Sequence, residues 1–472
     1  MKKFLKEHYL IIALILFFLV TRIIIMLRYY GLIFDGAVYI GNAKFLYSFG
    51  RSAYFESLRP LVLPLILGLG WLLGLDILAW GKMVELFFSA GTLVLVYVLA
   101  SRLHSKTAGI VSAILLAFTP VYFLYSDKIL TGIPSAFFAL VSFYFFINKK
   151  YELSGLMAAV SFMTRFPQGI LLIAYSATFL ALKYQTKIRK IVNRSFARFI
   201  WPYLFIVLLF FIFNYYMYRG ADTPIEAITW PFVHGTFTIN TMALWMYAGT
   251  WSFYFVELFK QNWFFIFSLV FIGFYIYEKK YRQQWFNFLL FAPALLLVYF
   301  TYLDHKEVRF ALIFIPYLSI MSSIALVKIY EFIQTRKKLL ILFFAIFLIL
   351  VYFLKVPKVS LTEYRSPRVH DICRIMQENN LSQEIILTTP YPLVCLDNKV
   401  DMNLFSMPLL LNMTAENPEK PLVYAPNTFP CASGDTECEN QKTNALEKFQ
   451  NQYNLLYYNN NTEYPIYVFT KP

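Results

Sequence analysis

The chain has 472 residues, of which 59% are hydrophobic, 20% aromatic and only 15% charged, with a mean hydropathy of +0.56. Such a composition excludes disordered, fibrous and ordinary soluble globular proteins, and continuous apolar runs approaching ~20 residues point to membrane-crossing helices, not to the alternating strands of a barrel. The formal charge of +15 is unevenly shared: residues 1–355 hold 33 Lys and Arg against 14 Asp and Glu, whereas residues 356–472 are net −4. The positives fall in short clusters between apolar stretches, which is how membrane topology is written, so nucleic acid is not an expected partner.

In chain order, Met1-Lys2-Lys3-Phe4-Leu5-Lys6 is similar to the start of a signal peptide. The apolar stretch that follows runs past Arg22 without a small-residue cleavage site, so it reads as a retained first span. Hydropathy places spans near residues 8–28, 84–101, 108–125, 131–148, 152–165, 168–183, 199–217, 262–277, 285–302, 311–329 and 339–354, about eleven in all. Pro60 to Leu75 is ambiguous, being short and interrupted by Pro64, Gly68, Gly70 and Gly74. If it does not cross, 20 of the 33 cations collect on one face; if it crosses, the N-terminal cluster parts from the rest. The first topology puts the N-terminus in the cytoplasm and residues 356–472 outside.

The division follows as a transmembrane domain over residues 1–355 and a small extracytoplasmic α/β domain over 356–472. In the latter, helical patterns cover Pro367 to Asn379 and about Thr443 to Gln452. Strand patterns cover Glu384 to Thr389, Leu422 to Ala425, Asn454 to Tyr458 and Ile466 to Thr470. All four cysteines lie here, and without a CxxC pair they read as disulfides in an oxidising compartment, not as a zinc site. Of the three possible pairings, Cys431 with Cys438 across a turn-like segment and Cys373 with Cys395 is favoured. Asn412-Met413-Thr414 and Asn460-Asn461-Thr462 form glycosylation sequons.

The polar residues suited to chemistry gather on the outer face. Asp35 follows the first span amid apolar and aromatic neighbours, where a carboxylate is costly unless used; it fits a general base, or alternatively a helix N-cap. Asp304-His305-Lys306-Glu307-Val308-Arg309-Phe310 packs five ionisable groups against an apolar segment. On a helix, Lys306 and Arg309 share a face and suit a phosphate; the alternative is a cluster snorkelling into headgroups. Arg165 and Lys128 are further outward cations, Arg22 and Arg59 read as snorkelling or phosphate-binding, and His234 is placed in the long outer loop. One carboxylate, several boundary cations and an external domain suit transfer from a lipid-linked phosphate donor, with electrostatics and positioning supplying most of the catalysis.

These residues resemble the GT-C superfamily of polyprenyl-phosphate-sugar-dependent glycosyltransferases, which includes the protein O-mannosyltransferases and the aminoarabinose transferases. The resemblance covers most of residues 1–330. It is carried by Asp35 with Tyr39, Leu58-Arg59-Pro60-Leu61-Val62-Leu63-Pro64-Leu65, Tyr125-Ser126, Ile133-Pro134-Ser135-Ala136-Phe137-Phe138 and Met163-Thr164-Arg165-Phe166. His305-Lys306-Glu307-Val308-Arg309-Phe310 is similar to the HKE-x-RF element of dolichol-phosphate-mannose mannosyltransferases. The resemblance implies a GT-C fold, Asp35 as catalytic base, a carrier-phosphate site of external Arg and Lys residues, and Pro60 to Leu75 as a juxtamembrane helix. Where these families carry further acids, this chain has Gly36 and Gly132; the alternatives are that Asp127 compensates or that the site works with one carboxylate.

The reading is a cell-membrane hexosyltransferase that moves a mannose-like sugar from a polyprenyl-phosphate carrier to a glycan, lipid or protein acceptor outside. Its other partners are membrane lipids, and neither metal nor cofactor is expected. Asp35 is assigned as base, with Arg309, Lys306, His305, Glu307, Arg165, Lys128, Asp127, Arg59 and Tyr39 in the binding site. The rivals are a transporter or flippase of an anionic lipid-linked substrate, for which midplane polar groups and repeated halves are missing from the sequence, and a structural membrane protein, which leaves the outward cations unexplained.

Overall fold

A computed structural model describes residues 2–28, 31–56, 58–185, 189–217, 249–278, 284–334, 369–381, 385–402, 406–429, 431, 435–459 and 465–471. Its helices are α1 (Lys2–Arg28), α2 (Phe34–Tyr47), α3 (Val62–Leu72), α4 (Ile77–Leu103), α5 (Lys106–Ala117), α6 (Pro120–Tyr125), α7 (Gly132–Ile147), α8 (Tyr151–Thr164) and α9 (Ile170–Gln185). There follow α10 (Arg189–Met217), α11 (Phe253–Gln261), α12 (Phe267–Tyr277), α13 (Gln284–Tyr302), α14 (Ile315–Gln334), α15 (Val369–Glu378), α16 (Met407–Glu416) and α17 (Thr436–Gln452). Five helical segments among the described residues are long and apolar enough to cross a membrane: Glu7–Arg28, Ile77–Leu103, Asn193–Phe213, Trp285–Tyr302 and Ile315–Ile333. Shorter apolar helices cover Val62–Leu72, Lys106–Ala117, Gly132–Ile147, Phe166–Leu182 and Trp263–Tyr277. The expected span at 339–354, the sequon at Asn460 and His234 lie outside the described residues.

The chain divides into two compact units, one from Met1–Arg28, Glu85–Asp127 and Thr131–Glu363, the other from Tyr29–Val84, Lys128–Leu130 and Tyr364–Pro472. The described C-terminal residues thus fall in the same unit as Tyr29–Val84.

In the first unit, α8 packs between α7 and α10, α9 packs on α13, and α14 on α5 and α12. Gly155 permits the α8–α10 crossing, because a Cβ there would lie 1.9 Å from the carbonyl oxygen of Phe199. Next to this crossing, Tyr175 stacks on Phe288 with ring centroids 4.1 Å apart and meets Phe199 at 4.6 Å. Its hydroxyl lies 2.7 Å from the Ser142 hydroxyl, satisfying a buried polar group inside the aromatic core. The expected span over 108–125 is two helices, because Pro120 has no N–H to continue the ladder. The Thr119 hydroxyl (2.6 Å) and the Asn262 side-chain amide (3.2 Å) instead satisfy the Leu115 carbonyl.

The second unit holds a mixed five-stranded sheet in the order β2 (Asp401–Met402), β1 (Ile386–Leu387), β3 (Leu422–Tyr424), β5 (Tyr467–Thr470), β4 (Asn454–Tyr458). The β1 pairings are parallel, and β5 is antiparallel to both β3 and β4. Leu410 of α16, Ala445 and Phe449 of α17, and Ile386, Leu422, Tyr424 and Phe469 of the sheet form its buried core. Helix α17 begins at Thr436, earlier than expected, because the Asp435 side chain accepts from the Cys438 N–H and caps it. Both expected disulfides are present, Cys373–Cys395 and Cys431–Cys438. Asn412 is exposed on α16, but Thr414 is buried and donates to the Leu410 and Leu411 carbonyls.

Helix α2 lies between the spans expected at 8–28 and 84–101. Helix α3 has eleven residues, about 16 Å at ~1.5 Å per residue, too short to cross a ~30 Å hydrocarbon core alone. It ends at Gly74, whose φ of +73° closes a Schellman turn: Leu75 N–H donates to the Gly70 carbonyl and Gly74 N–H to the Trp71 carbonyl.

Candidate active site

Two groups of the expected residues are assembled, one in each unit. In the second unit, Asp35 stands in the first turn of α2, where the N-terminal backbone amides favour a negative charge. The N-cap position belongs to Ile33, so Asp35 is not the N-cap. Arg59 Nη2 donates to Asp35 Oδ1 at 2.9 Å, and Arg59 Nε donates to Glu56 Oε2 at 2.6 Å. The guanidinium lies 5.5 Å from the Tyr39 ring centroid, completing a cation–π contact. The three charged side chains are 16–19% exposed, so they are shielded from bulk water yet reachable. Burial opposes the charge on Arg59, but Asp35 and Glu56 hold its pKa well above the ordinary value.

Helix α2 also fixes the loop that carries Glu56. Asn42 donates from its side-chain amide to the Glu56 carbonyl (3.0 Å) and accepts from the Glu56 N–H (2.8 Å). The arrangement closes on itself, from Asn42 to Glu56 to Arg59 to Asp35 and back through one helical stretch. Glu56 is thus the second carboxylate of this cluster, missed by the sequence reading although its i,i+3 spacing to Arg59 was visible. Position 36 has no room for one: a Cβ there would lie 2.9 Å from Leu32 Cδ1 and 3.1 Å from the Ile129 carbonyl oxygen.

In the first unit, the segment after α13 carries His305, Lys306, Glu307 and Arg309. Lys306 precedes the 3₁₀ helix Val308–Ile313, so it and Arg309 do not share a helical face as expected. Its ammonium donates to the Phe300 carbonyl at 3.0 Å, to the Thr301 carbonyl at 2.6 Å and to the Leu303 carbonyl. An ammonium has three protons, so Lys306 is the cap of α13 and not a cation waiting for phosphate. Glu307 Oε1 lies 2.8 Å from both His305 Nε2 and Arg309 Nη2, and Arg309 Nε lies 2.6 Å from Glu307 Oε2. The Tyr254 hydroxyl donates to the Glu307 carbonyl at 3.2 Å, and Arg165 donates to the Thr131 hydroxyl at 3.2 Å. The Arg165 and Arg309 guanidiniums lie 5.0 and 5.7 Å from the Phe310 ring centroid, so one aromatic ring seats two permanent cations.

Two expected residues have other surroundings. Asp127 is bound to Arg22 at 2.5 Å with both side chains 1% exposed, and Arg22 also lies 4.6 Å from the Phe123 ring centroid. Arg22 therefore does not snorkel, and Asp127 is a buried counter-ion where a compensating catalytic acid was expected. Lys128 is buried, at 4% exposure. Among the described residues, no group of three or more His, Cys, Asp or Glu is placed to hold a metal ion.

Residues 58–218 match the family described as dolichyl-phosphate-mannose-protein mannosyltransferase. No curated protein matches the chain. Among solved structures, the chain is similar to ArnT from Cupriavidus metallidurans bound to undecaprenyl phosphate. The TM-score is 0.66, with 10% identity over 99% of both chains. It is also similar to the Archaeoglobus fulgidus oligosaccharyltransferase tethered with an acceptor peptide, at a TM-score of 0.63 and 13% identity over 100% of this chain and 75% of that one. AglB from Archaeoglobus fulgidus, in complex with an inhibitory peptide and a dolichol-phosphate, gives a TM-score of 0.61 and 11% identity over 98% and 74%. The chain is a multi-pass membrane protein with the GT-C glycosyltransferase fold, and its residues 58–218 match the dolichyl-phosphate-mannose-protein mannosyltransferase family.

Proposed function

We propose that this protein transfers a hexose from a polyprenyl-phosphate carrier to a hydroxyl or amine acceptor on the outer face of the membrane. The observation that carries the reading is the Asp35–Arg59–Glu56 cluster at the start of α2, in a chain whose structural neighbours hold undecaprenyl phosphate and dolichol-phosphate. Asp35 takes the proton of the acceptor O–H or N–H as that atom bonds to the anomeric carbon. The bond from anomeric carbon to phosphate oxygen breaks, and its electron pair leaves with the polyprenyl phosphate. Arg59 orients Asp35 and presents it as a carboxylate. Within the first unit, Arg165 and Arg309, brought together on the Phe310 ring, are suited to an anion such as the carrier phosphate. The N-terminus lies in the cytoplasm and the cysteine-bearing segment outside.

The test is transfer of labelled sugar from a panel of polyprenyl-phosphate sugars in proteoliposomes, with release of polyprenyl phosphate followed in parallel. Asp35→Asn keeps the shape and removes the base, so transfer falls by about 10²–10⁴-fold. Wild-type transfer by a folded Asp35→Asn protein would overturn the base assignment, and absence of transfer with every carrier sugar would overturn the transferase reading.

A further inference from the structure

The second unit contains a cavity of about 660 Å³ that is separate from the Asp35 cluster, within the size range of small-molecule sites. Its lining takes Trp71 at the end of α3 and Gly74, Leu75 and Asp76 in the turn after it, together with residues of α15. Helix α15 buries Val369, Ile372 and Met376 and brings the polar side chains of His370, Asp371, Arg374 and Gln377 to the lining, with Val369 at its apolar margin. The Cys373–Cys395 disulfide lies in this lining and ties α15 to the floor.

The floor is ordered before any ligand arrives. Trp71 Nε1 donates to Asp397 Oδ1 at 3.2 Å, fixing the orientation of a partly buried indole. Asp397 is held by Lys44 at 2.9 Å, and Lys44, 3% exposed at its side chain, also donates to the Val394 and Leu396 carbonyls. Charge in the lining is nearly balanced: Asp76, Asp371 and Asp397 face Lys44 and Arg374, with Lys44 already paired to Asp397 and Arg374 3.6 Å from Asp371. A slight acidic excess disfavours a phosphate, and the polar lining disfavours a lipid tail. Donors and acceptors together in one lining, beside an indole held by a hydrogen bond, fit a neutral polyhydroxylated ring, with C–H bonds against the aromatic ring and hydroxyls toward the carboxylates, amide and guanidinium.

We infer that this cavity, built by Trp71, Asp76, Asp371, Arg374 and Asp397, binds a neutral sugar of the acceptor. Only the word acceptor rests on the transferase reading; the sugar site stands on its own lining. The test uses full-length protein in lipid nanodiscs and saturation-transfer NMR with the methyl glycosides of mannose, glucose, galactose and N-acetylglucosamine, alongside inorganic phosphate and a neutral octapeptide. At least one glycoside binds, with strongest saturation on the C–H protons of one ring face. Trp71→Ala weakens it by about tenfold or more, and Trp71→Phe, which keeps the ring, by no more than about threefold. Arg374→Ala, at an exposed position of α15, also weakens binding, which keeps the test decisive if Trp71→Ala does not fold. Asp35→Asn binds the glycoside as the wild type does while losing transfer, so failure of the sugar site and failure of the transferase reading give different results. Binding of none of the glycosides, binding unchanged in folded Trp71→Ala and Arg374→Ala proteins, or binding of phosphate or peptide instead of sugar would each overturn the inference.

Discussion

Removing Asp127 separates architecture from chemistry among the acids of the expected site. Arg22 and Asp127 are each 1% exposed and 2.5 Å apart, with the guanidinium 4.6 Å from the Phe123 ring centroid. Asp127→Ala leaves a guanidinium in the interior without its counter-charge, and breaking a buried pair from one side costs ~3–5 kcal/mol. Arg22→Met strands the carboxylate and is destabilising in the same range. The combined Arg22→Met/Asp127→Leu variant removes both charges and fills the space with apolar groups, an exchange that is often neutral or stabilising by ~1–4 kcal/mol. A double-mutant cycle in reversible mixed-micelle unfolding therefore shows strong non-additivity, the double variant being more stable than either single one. Sugar transfer measured on the same preparations supplies the second readout. A purely structural role for the pair predicts a stable double variant that keeps the proposed transfer activity. A cost under about 1 kcal/mol for Asp127→Ala would refute the buried-pair account, and a stable but inactive double variant would show that Asp127 takes part in the reaction.

Three further outcomes follow from the geometry. Arg59→Lys lowers kcat for transfer by at least about tenfold with little change in carrier KM, because one ammonium does not reproduce the two-nitrogen bridge between Asp35 and Glu56; wild-type kcat would contradict the positioning role. Lys306→Met costs about 1–2 kcal/mol of unfolding free energy through the lost cap of α13 and leaves carrier KM within about twofold, whereas a large rise in KM would restore it to the phosphate site. Burial lowers the Lys44 pKa, with Asp397 opposing, so the unfolded chain holds more protons than the native one just below the ordinary value of 10.5. Stability of the wild type relative to Lys44→Met accordingly rises with pH in that alkaline window, as unfolding midpoints at successive pH values would show; a falling difference would reverse the sign assigned to this group.

The disulfides and most strands of the C-terminal segment were legible because cysteine spacing and alternation are local signals. Helix α2 was not: Gly36 through Lys44 are all buried, and a helix covered on every side shows no apolar stripe against a polar one. Asp35 was recognisable as a costly carboxylate at a membrane boundary, but Glu56 gains its meaning only when Asn42 grips its backbone and Arg59 reaches both acids. Lys306 shows the opposite failure. A cation after an apolar helix reads the same whether it awaits a phosphate or caps the helix behind it, and only the three carbonyls around its ammonium decide. Pro120 announced a break within 108–125, yet nothing local told that Asn262 would take up the stranded carbonyl.

The Lys44–Asp397 contact joins residues 353 positions apart in the chain. The helix that carries Asp35 therefore acquires its final support only after nearly the whole polypeptide has been made. At the ~5–20 residues per second of protein synthesis, that wait lasts roughly 20–70 s. During it, α2 lacks the floor formed by residues 394–397, and the Cys373–Cys395 bond that fastens this floor does not yet exist. A nascent or prematurely terminated chain that already displays every residue of the Asp35 cluster thus lacks the contacts that hold its helix in place, and this support arrives only with the last hundred residues.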